Sequence, residues 1–348
     1  MSGVQSRDVV SDEDGMRLDR WFKEHFPGIS FGALNKLLRT GQVRVNGGRV
    51  KSNTRLEGGQ TIRIPPLPDD ADQVGAAAAA SPDGATIAEI KAMTLFEDSK
   101  VLVLNKPYGL AVQGGSGLSK HVDGMMEALR DRSGRKPRLV HRLDKDTSGV
   151  LMIAKTKGAA TSMAAAFRAR TTKKVYWALV RGVPKPKQGR ISSYLAKGDE
   201  SAEPDNQERM RIAKHGDKGA DHAVTLYSVV ETAGRGLTWL TMRPVTGRTH
   251  QLRAHCNHIG HPIIGDPKYF DVENWELPGG IQNRLHLHAR RLVIPHPDGG
   301  VIDVSAPLPP HMQQSWNLLG LSTEGMGLDG TSPDDDEWEE LAQRTGRR

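Results

Sequence analysis

Val140-His141-Arg142-Leu143-Asp144-Lys145-Asp146-Thr147-Ser148-Gly149-Val150-Leu151 holds the densest chemistry in the chain. His141–Asp146 puts three basic and two acidic side chains into six residues, more than a plain surface turn needs. Thr147-Ser148-Gly149 then offers a turn of small residues, and the apolar run Val150–Ala154, closed by Lys155, reads as a buried strand. The bland alternative is a charged, solvated loop between two strands. A carboxylate at Asp144 needs partners from other segments of the chain.

A chain of 348 residues is long enough for two domains, at least one with a full core. No apolar run approaches the ~18 residues of a membrane span. The first fifteen residues have no apolar signal core and no arginine-rich, acid-poor transit character. Cys256 is the single cysteine, which rules out an intrachain disulfide and a cysteine-based zinc finger, so a reducing cytoplasm is expected. The formal net charge of +7 is unevenly spread. From Met16 to Pro65 ten Lys/Arg face three acids, whereas from Leu321 onward eight acids face three arginines. A basic module of this kind is the footprint of a polyanionic partner, nucleic acid first.

Within that module, Leu18, Trp21, Phe22 and Phe26 recur at helical spacing until Pro27-Gly28. Ser30 is placed to cap a second helix with Phe31, Leu34, Leu37 and Leu38 on one face, and Gly41 suits its C-terminal end. Val43–Val45 predicts a strand, Asn46-Gly47-Gly48 a hairpin turn, Val50 the start of the return strand, and Thr61–Ile64 a last strand. Residues 66–86, rich in Pro, Asp and Ala, read as a linker. A second domain is expected over 87–320, and residues 321–348 as an acidic, disordered tail.

In the second domain, Val101–Lys106 reads as a strand that stops at Pro107, and His121–Arg130 as a helix after the loop Gln113–Gly117. That loop is no phosphate loop, because Ser119 precedes Lys120 and His121 follows it. Gly158–Arg168 predicts a helix. Lys173–Gly182 predicts a strand with Tyr176, Ala178 and Val180 on one face and Val175, Trp177 and Leu179 on the other. Lys185–Ala220 is polar and reads as loop or irregular strand, whereas Ala223–Glu231 and Leu237–Met242 are strand-like. His250, His255, His258 and His261 lie close in sequence but lack the i, i+4 spacing of two ligands on one helical face, so no metal is expected. His286 and His288 share a strand face, for packing or RNA contact.

These segments together resemble a known family. His-Arg-Leu-Asp-x-x-Thr-Ser-Gly at 141–149 is similar to the signature of the RluA-type pseudouridine synthases. Val103–Gly117, Lys174–Gly182, Thr246–His255 and Arg284–Ala289 resemble that family's other segments, closer to its large-subunit ribosomal RNA C type than its D type. Arg17-Leu18-Asp19, Leu37–Gly47 and Gly59–Ile62 resemble the small alpha-L RNA-binding domain of the ribosomal protein S-four superfamily. The implied fold is α+β: the alpha-L domain over 16–65, joined by the linker to a catalytic domain with a mixed, mainly antiparallel sheet and flanking helices. The resemblance implies Asp144 as nucleophile, Tyr176 in the active site and Arg253 as partner of the Asp144 carboxylate. Arg142, Arg248, His250 and Gln251 are then candidates for the substrate, and Arg17, Lys36, Arg39, Arg44 and Lys51 for RNA.

The implied activity is conversion of uridine to pseudouridine in large-subunit ribosomal RNA or a pre-ribosomal particle, by a monomer without cofactor or metal. A tRNA target, a noncatalytic assembly factor on the same fold and a metal-dependent hydrolase built on the histidines are the competing classes. Two departures stand out. Phe270 replaces the glycine of the family's Gly-Asp-x-x-Tyr-Gly, so the turn after Tyr269 is expected to change; the acidic tail has no counterpart.

Overall fold

The computed structural model describes residues 4–10, 13–26, 28–67, 84–114, 120–131, 134–169, 171–198, 209–234, 236–270 and 276–323. Most of the expected linker, the core of the Gln113–Gly117 loop and nearly all of the expected tail lie outside these residues. The chain divides into two compact units, Met1–Asp83 and Gly84–Arg348.

In the first unit, strand β1 (Gln5–Asp8) precedes helices α1 (Leu18–His25) and α2 (Phe31–Arg39), then strands β2 (Arg44–Val45) and β3 (Thr61–Ile64). The Ala33 amide donates to Ser30 Oγ at 3.2 Å, the N-cap anticipated from the sequence. The two helices bury Leu18, Trp21, Phe22, Phe26, Leu34 and Leu38 against Val45, Leu56, Ile62 and Ile64. Asn46 and Gly47 both take positive φ, 47° and 76°, as a tight hairpin turn requires. The expected return strand at Val50 does not form. Instead β2 pairs with β3, because residues 52–56 commit their backbone to the start of α1: the Leu18 amide donates to Thr54 O and the Leu56 amide to Met16 O. Strand β1, which the sequence does not foretell, completes the sheet on the other side of β3. Its residues Gln5-Ser6-Arg7-Asp8 lack apolar alternation; the open edge of β3 supplies its hydrogen bonds.

The second unit begins with helix α3 (Gly84–Met93), three residues before the expected boundary, followed by β4 (Thr94–Glu97) and β5 (Val101–Lys106). The expected helix at 121–130 is a short α4 (Val122–Met125) that tightens into a 3-10 turn over Met126–Leu129. Then come β6 (Arg138–Leu139), β7 (Ser148–Ala154), α5 (Lys157–Ala169), β8 (Lys173–Arg181), β9 (Gln188–Lys197), β10 (Met210–Ala213), β11 (Asp221–Ala233) and β12 (Leu237–Pro244). Helix α6 (Gln251–His258), β13 (Leu287–Pro295), β14 (Val301–Ser305) and α7 (Pro310–Leu319) complete it. The strands form one mixed sheet in the order β10-β9-β11-β12-β8-β13-β7-β5-β4, with β6 on β7 and β14 on β13.

All pairs in this sheet are antiparallel except β13 with β7, which run parallel through His288↔Ser148 and Ala289↔Gly149. That short parallel seam joins the half carrying the Asp144 loop to the half carrying Tyr176 and α6. Every residue of β7 is buried, with Leu151 and Ile153 in one cluster and Val150, Met152 and Ala154 in another. A strand covered on both faces reads as a continuous apolar run, the pattern seen in the sequence. The β8 alternation also divides as expected. Val175, Trp177 and Leu179 pack with Trp239, Met312 and Trp316, whereas Ala178 and Val180 pack with Met242, Leu252 and Leu285. Trp177, Trp239 and Trp316 meet edge to face at centroid distances of 4.7 and 5.3 Å.

The polar stretch Lys185–Ala220, read as loop or irregular strand, contributes two regular strands among its described residues, β9 and β10. β9 pairs with the long β11 from Gln188↔Ser228 to Leu195↔Asp221 and buries Ile191, Leu195 and Ala196. Ladder pairing, rather than any alternation of its own, makes this strand.

His255, His286 and His288 are fully buried. His255 meets Ser193 and Thr225, and His286 meets Ser315 Oγ and the Arg284 carbonyl. His288 bonds Ser148 Oγ at 2.9 Å and donates to Ala306 O at 3.2 Å. His286 and His288 are therefore packing residues, closed to RNA. Burial pushes these imidazoles down to about 4, 4 and 3 respectively. In the unfolded chain the same groups take up a proton near 6.5, so between about pH 6.5 and 4 the unfolded state binds more protons and stability falls with pH. Each histidine contributes at most about 1.4 kcal/mol per pH unit in that window. The urea midpoint should therefore drop steadily from pH 6.5 to 4.5; a midpoint independent of pH there would contradict neutral, buried rings.

Candidate active site

A cleft of about 570 Å³ opens between the loop before β7, the end of α5, β8 and the segment Pro244–Arg253 that leads into α6. Asp144 sits in its wall with a side chain 21% exposed, and it is the one carboxylate among the lining residues. Its loop is pinned from several sides. The Thr147 amide donates to Asp144 O at 3.1 Å, closing a turn, and the Met152 amide donates to His141 Nε2 at 2.8 Å. Ser148 is tied to His288. The fully buried Lys106 sends its ammonium to the carbonyls of Pro107, Leu110 and Lys145, each at 2.9 Å. Burial pushes that ammonium down to about 7, against the opposing pull of Asp146 and Asp144.

Across the cleft, Arg253 extends from the first turn of α6 and is almost wholly buried. Its Nη1 lies 3.6 Å from Asp144 Oδ2. The expected Asp144–Arg253 ion pair is present, and a second carboxylate shares the guanidinium. Arg253 makes its bidentate bond to Asp266, with Nε to Oδ2 at 2.8 Å and Nη2 to Oδ1 at 2.7 Å. Asp144 receives only the remaining nitrogen. His250 Nε2 lies 3.9 Å from the same Asp144 oxygen. His250 has left-handed backbone, φ 50°, just before α6, which turns its ring back into the cleft. Burial lowers its pKa, while Asp144 pulls the other way.

Tyr176 is half-buried on the cleft face of β8. Burial, reinforced by the negative Asp144, raises its hydroxyl well above the ordinary phenol value, so at neutral pH it carries its proton and acts as donor or apolar wall. Arg142 and Arg248 line the cleft and are exposed; Arg248 bonds the His222 carbonyl and reaches Asp221 at 3.3 Å. Gln251 differs from the other substrate candidates. Its Oε1 accepts from Thr246 Oγ1 and the Arg248 amide, and its Nε2 donates to Val224 O and Thr225 Oγ1. This amide braces the loop and keeps no donor for a ligand.

The remaining histidines diverge: His261 bonds Arg181 O, and His255 is turned to the sheet. In the first unit, Arg17, Arg39 and Lys51 line one surface cavity of about 510 Å³ with Asn35, Ser52 and Asn53. Lys36 is exposed on α2, and Arg44 folds back onto the carbonyls of Gly41 and Gly47.

Asp266, Lys106, Tyr269 and His141 escaped the sequence reading as site residues. A lysine closing an otherwise apolar strand and an aspartate after a glycine in Gly265-Asp266-Pro267-Lys268-Tyr269 were the available signals. Phe270 buries its ring in the tryptophan cluster.

Residues 100–258 match the family described as RNA pseudouridylate synthase. The ribosomal large subunit pseudouridine synthase C of Escherichia coli (strain K12) is 38% identical over 305 residues, 86% of this chain and 92% of the relative. That of Vibrio cholerae is 34% identical over 319 residues, 91% of this chain and 97% of the relative. Among solved structures, human RNA pseudouridylate synthase domain containing 4 aligns with a TM-score of 0.56 at 28% identity, over 69% of this chain and 98% of its own. With relatives matched over nearly their whole length, and a carboxylate and guanidinium facing each other inside the matched segment, the chain belongs to the RNA pseudouridylate synthase family.

Proposed function

We propose that this protein isomerises specific uridines of large-subunit ribosomal RNA to pseudouridine, with Asp144 as the nucleophile. The observation that carries the reading is the Asp144 carboxylate in the cleft wall, 3.6 Å from the buried Arg253 guanidinium. The reaction breaks the bond from the anomeric carbon to a ring nitrogen and joins that sugar to carbon five of the same base. Substrate and product are isomers, so no oxidant, reductant or group donor is consumed, and no cofactor belongs to the reading.

A stacked uridine cannot reach a recessed carboxylate; the base must leave its helix and enter the cleft. There Tyr176 offers a flat face and a protonated hydroxyl, suited to stack on uracil and to donate to it. The Arg253 guanidinium, 3.6 Å away, faces the Asp144 carboxylate with opposite charge and orients it toward the sugar. Arg142, Arg248, Arg168 and Lys174 all line the cleft and set positive charge where phosphates would pass. The first unit, read as the alpha-L domain over 16–65, adds RNA contacts through Arg17, Arg39 and Lys51, with Lys36 beside them. Within this reading the enzyme acts as a monomer in the cytoplasm; among the described residues no helix is long and apolar enough to cross a membrane.

Mapping pseudouridines in total RNA from cells lacking the gene, and from the same cells complemented, tests the target. A small set of large-subunit rRNA uridines should lose modification in the deletion and regain it on complementation. Loss confined to tRNA would overturn the target, and an unchanged map would overturn the activity.

A further inference from the structure

Arg253 is shared by two carboxylates, and the sharing is unequal. The Nε–Nη2 edge of its guanidinium, the edge that grips a carboxylate with two parallel bonds, is taken by Asp266. Asp144 is left a single nitrogen at 3.6 Å. We propose that Asp266 is a positioning residue for the isomerisation: by occupying that edge it aims one nitrogen of Arg253 at Asp144 and keeps the nucleophile from being clamped. The inference rests on the reading of Asp144 as nucleophile.

Asp266 is itself rigidly held. Its side chain has no exposed surface, and Oδ1 also accepts the backbone amides of Lys268 at 2.9 Å and Tyr269 at 3.2 Å. Gly265, immediately before it, has φ +67°, and a Cβ there would sit 2.1 Å from the Arg284 carbonyl oxygen, so the turn is seated against backbone. The same turn steers the second group facing Asp144. Tyr269 is fixed through its hydroxyl to Met210 N and O and lies 3.3 Å from His250 Nδ1. His250 presents its other nitrogen to Asp144. The Arg253 guanidinium lies over the Tyr269 ring, 5.3 Å from its centroid. One buried turn therefore orients both partners of the nucleophile without touching it.

Should Asp266 lose its charge, Arg253 is free to offer its bidentate edge to Asp144. A carboxylate held by two charge-assisted bonds is a poorer nucleophile, and one held off-axis misses the sugar. Either way the loss passes through Arg253, and a double-mutant cycle isolates it.

The experiment measures single-turnover isomerisation and RNA dissociation constants for Asp266→Asn in the wild-type and Arg253→Gln backgrounds, using a transcript that the wild-type enzyme modifies. Alone, Asp266→Asn should slow isomerisation 30- to 100-fold with RNA affinity within twofold. In the Arg253→Gln background it should change the rate less than twofold. A wild-type rate for Asp266→Asn, or the same factor lost in both backgrounds, overturns the proposal. Asp266→Glu keeps the charge but shifts it by one methylene, and covers the case in which a neutral variant fails to fold. It should lose at least tenfold in rate with RNA binding retained, and full activity would overturn the proposal just as well. Failure of the functional reading is seen separately, as absence of pseudouridine formation by the wild-type enzyme.

Discussion

Asp144→Asn abolishes pseudouridine formation, slowing single turnover by roughly 10³-fold or more, while RNA affinity changes less than threefold. Asparagine has nearly the volume of aspartate and keeps an oxygen facing Arg253, so the cleft keeps its shape. What disappears is the negative oxygen, and a neutral amide neither attacks a sugar nor takes a proton from one. Folding should be barely affected, because Asp144 is partly exposed and Arg253 keeps its two bonds to Asp266. The loss therefore belongs to chemistry. Single-turnover assays with labelled transcript, beside filter binding and thermal melts, separate the three quantities. Retained isomerisation would refute Asp144 as nucleophile, and lost RNA binding would assign it to recognition.

Gly149→Ala is expected to cost about 3–5 kcal/mol of stability, from backbone strain and forced overlap together. Gly149 has φ +109°, a conformation that side chains rarely adopt. An added Cβ would lie 2.2 Å from the Ala289 carbonyl oxygen and 2.8 Å from the Ala289 carbonyl carbon and nitrogen. These are backbone atoms of β13, so no side chain can swing aside. Relief requires parting β7 from β13 at the two residue pairs that hold the halves of the sheet together. It also pulls Ser148 from His288, and the Asp144 turn moves with it. The melting temperature should fall by about 10 °C, scaling the cost to a unit of this size. Activity should fall well beyond the unfolded fraction. Gly158→Ala in α5 is the control: open space surrounds that position, and a neutral or slightly stabilising change is expected. A Gly149→Ala protein as stable as the control would contradict the tight seam.

Much of this architecture was legible in the chain itself, because some signals are local. A serine before an amphipathic run caps α2; Asn46-Gly47 makes the tight turn after β2, though no return strand follows it; an unbroken apolar run marks β7 as covered on both faces. The alternating residues of β8 announced two different packing faces. The cleft was legible for the same reason: Asp144, Tyr176, His250 and Arg253 stand in segments dense with chemistry, and the fold gathers them around one opening. Gln251 looked equally available in sequence, yet its amide is used up by the chain, since hydrogen-bond partners from β11 are invisible along the chain.

From the sequence alone came the basic first unit, the α+β class, the family resemblance and the residues placed to do chemistry. These follow from side-chain type, charge and the short periodicities of helix and strand, which need no knowledge of distant neighbours. Only the tertiary structure decided that β1 and β9 are strands, that residues 52–56 abandon the hairpin, and that Arg253 belongs first to Asp266. The reason is physical: a strand edge, or a guanidinium with three faces, takes whichever partner folding brings within about 3 Å, the range of a hydrogen bond. Which partner arrives is set by the parallel joining of β13 to β7 and the seating of the Gly265 turn, contacts between segments far apart in the chain.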